Sequence, residues 1–234
     1  MREIQQQLND LMQEWKQLHL QAGHTDFIAD GAVCAEQYEQ APLKICFFLK
    51  EAYSGESGES WSLTDWLHGG AMTRMWGNVA EWAYGILHTS LNGIPKKPQL
   101  SRTQKSELLR LVSIVNVKKS GGKSGSDYAD LLQYAISDRA FLRRELAVLR
   151  PDVIVCGYNA SLLRVVYGAE VAADGSITGG AIDGDQLFRN GYALLGDQII
   201  LDYYHPANRY PAMLNYYALC GLYQQALLEK TAGK

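Results

Sequence analysis

Three polar residues with complementary chemistry each follow an apolar, β-branched segment of the chain: Glu51, Asn116 and His205. In an open α/β sheet, ligands bind at the carboxyl ends of the strands, so these side chains are expected to gather along one edge. A carboxylate can orient water, an amide can both donate and accept hydrogen bonds, and a neutral imidazole can donate to developing negative charge. The three residues therefore form a candidate catalytic and binding group.

Taken one at a time, these residues also have ordinary structural interpretations. Glu51 should be partly desolvated by its apolar neighbours, but it could equally be a surface glutamate paired with Lys44 or Lys50. Asn116 could read the edge of a base or merely cap the following turn. His205 precedes a predicted helix start, and a helix N-terminus would lower its pKa and favour the neutral ring, although a lone histidine in this setting is more often structural.

The elements that position these residues alternate along the chain between strands and helices. Apolar segments predict the strands, and helical periodicity predicts what lies between them. We therefore predict an α/β fold, a three-layer α/β/α sandwich with a central, mainly parallel four-stranded sheet, formed by a single domain over residues 1–234. The predicted strands are 44–49, 111–117, 153–156 and 198–203.

Spacing and capping residues predict the helices around this sheet. An amphipathic covering helix is expected over 1–23, and the segment 171–191, rich in Gly and Asp, predicts an irregular insertion or a hairpin. The other predicted helices cover 72–87, 127–133 with Asp127 near its cap, 138–149, and a C-terminal segment from Pro211 to about residue 229.

A basic loop is predicted after the second strand. Lys118, Lys119 and Lys123, among glycines, suit contacts with nucleic-acid phosphates, although a solvated basic loop explains the composition equally well. The order Gly122, Lys123, Ser124 also resembles part of a nucleotide-binding P-loop, but that motif needs a glycine where this chain has Val117.

Composition bounds the possible functions. The net charge of −3 and the 20% of charged residues are typical of a soluble globular protein rather than of a generally basic nucleic-acid binder. The four cysteines are far apart and predict no metal site or iron–sulfur cluster. No signal core or segment of membrane-spanning length is present, which predicts a cytoplasmic protein without a membrane partner.

Four short motifs, in their shared order, resemble the uracil-DNA glycosylase superfamily. They are KEAYSG (50–55), SIVNVKK (113–119), LRPDVIVCGYNA (149–160) and YYHPA (203–207), and the resemblance spans roughly residues 44–215. In that superfamily an acidic or amide residue of the first motif handles the water nucleophile. The asparagine of the second motif, as in the iron–sulfur branch, recognises the base, and the histidine of the His-Pro motif stabilises the departing base.

The resemblance implies a DNA glycosylase that hydrolyses the N-glycosidic bond of a flipped, modified pyrimidine and leaves an abasic site. The base would be uracil or a hypermodified cytosine such as those of phage DNA, in a repair or an antiphage role, and no metal or organic cofactor is implied. Glu51 and His205 would be catalytic, and Asn116 and Tyr53 would recognise the base, with Tyr53, Trp61 and Trp66 as candidates for stacking on it. The implied DNA-contacting residues are Lys118, Lys119, Lys123 and Arg209.

Departures from the superfamily pattern keep other hypotheses open. Lys50 stands where glycine is usual, Tyr53 stands where many branches have proline, and the cysteines do not match the cluster ligands, so uracil is not fixed as the base. A non-catalytic nucleic-acid or nucleotide-binding module predicts binding that survives loss of Glu51 and His205 without base release. A P-loop-like NTPase would use the 121–126 loop, with Asp202 holding magnesium.

Overall fold

The computed structural model describes residues 2–53, 59–122 and 125–233. Helices and strands alternate over most of this length, as the apolar periodicity predicts. The helices are α1 (Arg2–Gln21), α2 (Ala35–Gln40), α3 (Leu63–His68), α4 (Arg74–His88), α5 (Arg102–Leu109), α6 (Tyr128–Ser137), α7 (Arg139–Leu149), α8 (Ala160–Val166), α9 (Gly184–Asn190) and α10 (Ala212–Ala232). The strands are β1 (Ile28–Ala29), β2 (Gly31–Ala32), β3 (Ile45–Tyr53), β4 (Trp61–Ser62), β5 (Val112–Gly122), β6 (Val153–Gly157), β7 (Glu170–Val171), β8 (Ile177–Thr178), β9 (Tyr192–Leu195) and β10 (Gln198–Tyr203).

The main sheet is mixed and mostly parallel, in the order β2-β5-β3-β6-β10-β9. The four inner strands run parallel, whereas β2 and β9 pair antiparallel at the two edges. The α/β class and the mostly parallel centre are confirmed, but the predicted count of four strands is wrong, since the sheet has six. The missed strands are short, and β2, with only two residues, is too short to show an alternating pattern.

Each face of the sheet carries its own apolar cluster. Because successive strand residues point to opposite faces, Phe48 joins the cluster that contains Trp15 of α1, while Phe47 joins the one that contains Trp82 of α4. All five residues of β6 are buried, as expected of a strand covered on both faces. The inner strands are therefore fixed between two packed layers of side chains.

Helix ends follow the predicted capping chemistry. The Asp127 carboxylate accepts a hydrogen bond of 2.9 Å from the Ala129 backbone N–H at the start of α6, and Pro211 immediately precedes α10. The segment 171–191 contains part of the β7–β8 hairpin, one of the two alternatives predicted for it, and then α9, whose cap is Asp183. Within the described residues, no helix combines the length and the apolar character needed to cross a membrane.

Candidate active site

A cavity of about 1080 Å³ opens where β3, β5 and the turn after β10 approach one another. Glu51, Tyr53, Asn116 and His205 all line it, so the cavity brings together the residues singled out from the sequence for catalysis and base recognition. Asn116 lies in the middle of β5 rather than at its end, because the strand continues to Gly122. The other lining residues include Leu49, Lys50, Trp61, Trp66, Thr73, Met75, Trp76 and Asn208.

Glu51 is a nearly buried carboxylate beside a lysine of the neighbouring strand. Its side chain is 7% exposed, and its Oε2 lies 3.5 Å from the Nζ of Lys118, the residue opposite it in the parallel register. A Cβ atom at Gly122 would overlap the Glu51 side chain, so glycine is needed at that position. The alternative of a surface glutamate paired with Lys44 or Lys50 is therefore wrong.

Asn116 is held by a buried carboxylate. One oxygen of Asp30, Oδ2, accepts hydrogen bonds from the Asn116 backbone N–H at 2.8 Å and from its side-chain Nδ2 at 2.9 Å. Both residues are buried. The amide group of Asn116 is thus fixed in orientation at the wall of the cavity rather than capping a turn.

A hydrogen bond to one ring nitrogen fixes the tautomer of the neutral His205 side chain. The Ala207 backbone N–H donates a 3.2 Å hydrogen bond to Nδ1, so the neutral ring carries its proton on Nε2. Burial, assisted by the positive charge of Lys50, lowers the pKa of His205 from 6.5 to about 4. The neutral form expected from the sequence is therefore favoured, but burial and Lys50 are its causes rather than a helix N-terminus.

The turn that carries His205 is held by three asparagine side chains. Asn78 of α4 donates to the Pro206 carbonyl at 2.8 Å, and Asn208 donates to the His205 carbonyl at 2.9 Å. Asn215 of α10 in turn donates to the Asn208 side chain at 2.8 Å. None of these amides was singled out from the sequence, where an isolated asparagine carries no signal of its tertiary partner.

Aromatic rings form one wall of the cavity. Trp61 and Trp66 meet edge to face with ring centroids 6.3 Å apart, and Tyr53 stands at the rim with 70% of its surface exposed. Trp76 was not singled out from the sequence, but it also lines the cavity although it is only 6% exposed. Aromatic side chains are therefore well represented in the lining of this cavity, and they are the groups on which a flat ring can stack.

The prediction of a flexible, solvated basic loop is wrong for its first two lysines. Lys119 is fully buried, where its ammonium contacts the carboxylates of Asp30 and Glu145, so it has no access to a phosphate. Lys118 is 15% exposed and bonds Asp130 at 2.6 Å in addition to its contact with Glu51. These paired charges allow β5 to continue through the segment.

Of the two remaining predicted DNA contacts, Arg209 is absent from the described residues that line the cavity. Arg209 is exposed on the turn that follows His205, and its neighbour Tyr210 is 52% exposed. Lys123 lies outside the described residues.

Asp202, suggested as a magnesium-holding aspartate, is distant from the glycine-containing end of β5. It lies on β10, and β6 and β3 separate that strand from β5. Three intervals between neighbouring strands amount to about 14 Å. Its carboxyl group instead accepts a hydrogen bond from the Ala160 backbone N–H, and burial raises the pKa of Asp202 to about 6. For the described residues, the order of the strands therefore does not support the P-loop hypothesis.

Comparison of the chain with protein-family models, curated proteins and solved structures gave no significant match. Among the described residues, no three His, Cys, Asp or Glu side chains are grouped in a way that could hold a metal ion.

Proposed function

We propose that this protein is a DNA glycosylase, related to the uracil-DNA glycosylase superfamily, that hydrolyses the N-glycosidic bond of a flipped, modified pyrimidine. The observation that carries the proposal is that Glu51, Asn116 and His205 line one cavity. Their chemistry matches what the reaction demands, which is a carboxylate near the sugar and hydrogen-bond donors near the base.

The proposed reaction separates charge between the sugar and the base. As the C1′–N bond breaks, its electron pair leaves with the base, and the sugar acquires cationic character. Glu51 stabilises that cation and accepts a proton from the water whose oxygen bonds to C1′. The Nε2–H of His205 donates a hydrogen bond to the anionic base, which then takes a proton from solvent. A donor placed in advance in this way contributes about 3 kcal/mol to stabilisation of the transition state.

Base recognition is assigned to Asn116 and the aromatic wall. Asn116 bonds the Watson–Crick edge of the flipped base, and a ring from the group of Tyr53, Trp61 and Trp66 stacks on its face. The cavity of about 1080 Å³ slightly exceeds the usual range for ligand pockets, about 300–1000 Å³. Its size supports a substituted pyrimidine, such as a hypermodified cytosine of phage DNA, as well as uracil.

We also propose which residues contact DNA, where the protein acts and how the layers of its fold are arranged. DNA contacts are assigned to Arg209, which is exposed beside the His205 turn, and to Lys123. The protein acts as a monomer in the cytoplasm without a metal or organic cofactor, in base excision repair or in defence against phage. Helices against both faces of the sheet accord with the three-layer α/β/α arrangement of this superfamily.

The decisive experiment is a panel of oligonucleotides assayed for abasic sites. The panel contains uracil, hypoxanthine, hydroxymethylcytosine and glucosylated cytosine, together with modified phage DNA. We expect abasic product from at least one pyrimidine substrate with the wild-type protein and a large loss with Glu51→Gln. Folded protein that binds these DNAs but yields no abasic site from any of them would replace the proposal with a non-catalytic binding module.

A further inference from the structure

Behind the cavity wall, Asp30, Lys119 and Glu145 form a buried cluster, called here the buried triad. The Lys119 ammonium contacts Asp30 and lies 2.9 Å from Glu145 Oε2, and the side chains of all three residues are fully buried. The same ammonium lies 4.8 Å from the ring centroid of Trp15, on the N-terminal helix. An ionic cluster without water contact is costly to build and is weak evidence of a stabilising role.

The buried triad holds two carboxyl groups and one ammonium. Burial raises the pKa of Glu145 well above its usual range, and the neighbouring Asp30 carboxylate adds to this against the opposing effect of Lys119. A raised pKa favours the protonated form of Glu145, while the Lys119 ammonium forms an ion pair with Asp30. Both oxygens of Asp30 face N–H donors, so each of them accepts in these contacts.

The two oxygens of Asp30 have different partners. Oδ1 faces Lys119, whereas Oδ2 accepts both the backbone N–H and the side-chain Nδ2–H of Asn116. An ionised carboxylate cannot donate a hydrogen bond, so the atom of Asn116 beside it must be the nitrogen and not the oxygen. The carbonyl oxygen of the amide is thereby placed on the side away from Asp30.

We infer that Asp30 is a positioning residue that locks the Asn116 amide so that its carbonyl oxygen, a pure acceptor, is presented to the base. This inference rests on the proposed function and specifies its substrate class: a base whose recognised edge carries an N–H donor next to an acceptor. Both uracil N3–H and the amino group of a cytosine meet this condition. Asp30 acts through Asn116, since it is absent from the described residues that line the cavity.

The test compares two substitutions within the buried triad. Asp30→Asn removes the acceptor-only group, so the Asn116 amide is free to flip, whereas Glu145→Gln mimics the protonated acid and leaves Asp30 in place. We expect kcat/KM for base release to fall about a hundredfold in Asp30→Asn, the effect of a small misplacement of a recognition group. Glu145→Gln should retain wild-type activity.

Two further measurements separate positioning from loss of structure. In an Asn116→Ala background, Asp30→Asn should have almost no additional effect on kcat/KM, because the two residues act as one unit. If Asp30→Asn unfolds, the pair Asp30→Leu with Lys119→Met replaces the buried charges by apolar groups and should restore folding without restoring activity.

A readout independent of catalysis is the side-chain amide signal of Asn116 in the NMR spectrum. Its hydrogen exchange should accelerate at least about tenfold in Asp30→Asn and remain slow in Glu145→Gln, because only the first loses the buried acceptor. Equal exchange or equal kcat/KM in the two variants would overturn the inference. If the wild type releases no base at all, the proposed function fails, while the exchange data still decide whether Asp30 fixes Asn116.

Discussion

The two sides of the cavity hold their polar groups by different physical means. On the side of β3 and β5, Glu51 and Asn116 are backed by ion pairs through Lys118 and the buried triad. On the side of β10, His205 is held by neutral hydrogen bonds from Ala207 and Asn208 and lies near one cation, Lys50. Charged groups are thus paired with opposite charges on the first side, whereas on the second side the His205 ring is kept neutral.

The difference suits the chemistry proposed for each side. A group that faces a developing cation must keep its negative charge, and the Glu51 carboxylate has the Lys118 ammonium 3.5 Å away as its counter-ion. A group that donates a hydrogen bond to the departing base must carry a proton on the donating atom. Because the pKa of His205 is lowered, its ring is neutral at pH 7 and donates through Nε2–H.

The largest effect is expected from the buried charge on the β5 side. Lys119→Met leaves the Asp30 carboxylate buried without its cation, which should lower the free energy of unfolding by about 3–5 kcal/mol. Lys118→Met removes partly accessible pairs and should cost about 1 kcal/mol or less. Urea unfolding of both variants measures the contrast, and similar losses would show that the buried triad is not the stronger support.

The second prediction concerns the carboxylate itself. Glu51→Gln should lower the rate of base release about 10³-fold, since an amide can neither take a proton from water nor stabilise a cation. Asp130→Asn is the matched control, because Asp130 also contacts Lys118 but is absent from the described residues that line the cavity. Single-turnover assays with excess enzyme measure both, and equal rates in the two variants would remove Glu51 from the mechanism.

The third prediction uses two histidines with similar electrostatics. Burial is the largest cause that lowers the pKa of both His205 and His19 to about 4, but His205 lines the cavity whereas His19 bonds Ser120 at 2.7 Å. His205→Asn should lower the rate of base release about 10²-fold, and His19→Asn should leave it unchanged.

Both histidines should also make folding depend on pH. Each ring stays neutral in the folded state down to about pH 4, whereas in the unfolded chain it takes up a proton below 6.5. Their contribution to stability is therefore complete above pH 6.5 and decreases as the pH falls toward 4, by up to about 3 kcal/mol for each residue. The free energy of unfolding, measured between pH 4 and 7, should depend less on pH in His205→Asn and in His19→Asn than in the wild type. An unchanged pH dependence would contradict the low pKa of the replaced histidine.

The smallest effect is expected at Lys50. Lys50→Met removes a charge that lowers the pKa of His205, so this pKa should rise, but by less than about 1 unit because burial is the larger cause. NMR titration of the His205 ring measures the change directly. Lys96→Met is the control at an exposed lysine, and an equal shift in both variants would exclude a specific effect of Lys50.

The sequence predicted the elements of the β10 side better than those of the β5 side. Apolar runs and a proline correctly located β10 and the start of α10, and His205 follows directly. On the β5 side, lysines and glycines suggested a loop after residue 117, but the strand runs to Gly122. A lysine-rich segment is expected to be solvated, because the sequence does not show which carboxylates from distant segments will pair with its lysines.

The chain by itself determined the α/β class, the mostly parallel centre and some of the residues that line the cavity, among them Glu51 and His205. These follow from periodicity and from the geometry of parallel strands, both of which are local or nearly so. Only the tertiary structure decided the edge strands, the burial of Lys119 and the contact between Asp30 and Asn116. Asp30 and Asn116 are 86 residues apart, and a hydrogen bond over that distance exists only once the sheet has assembled around it.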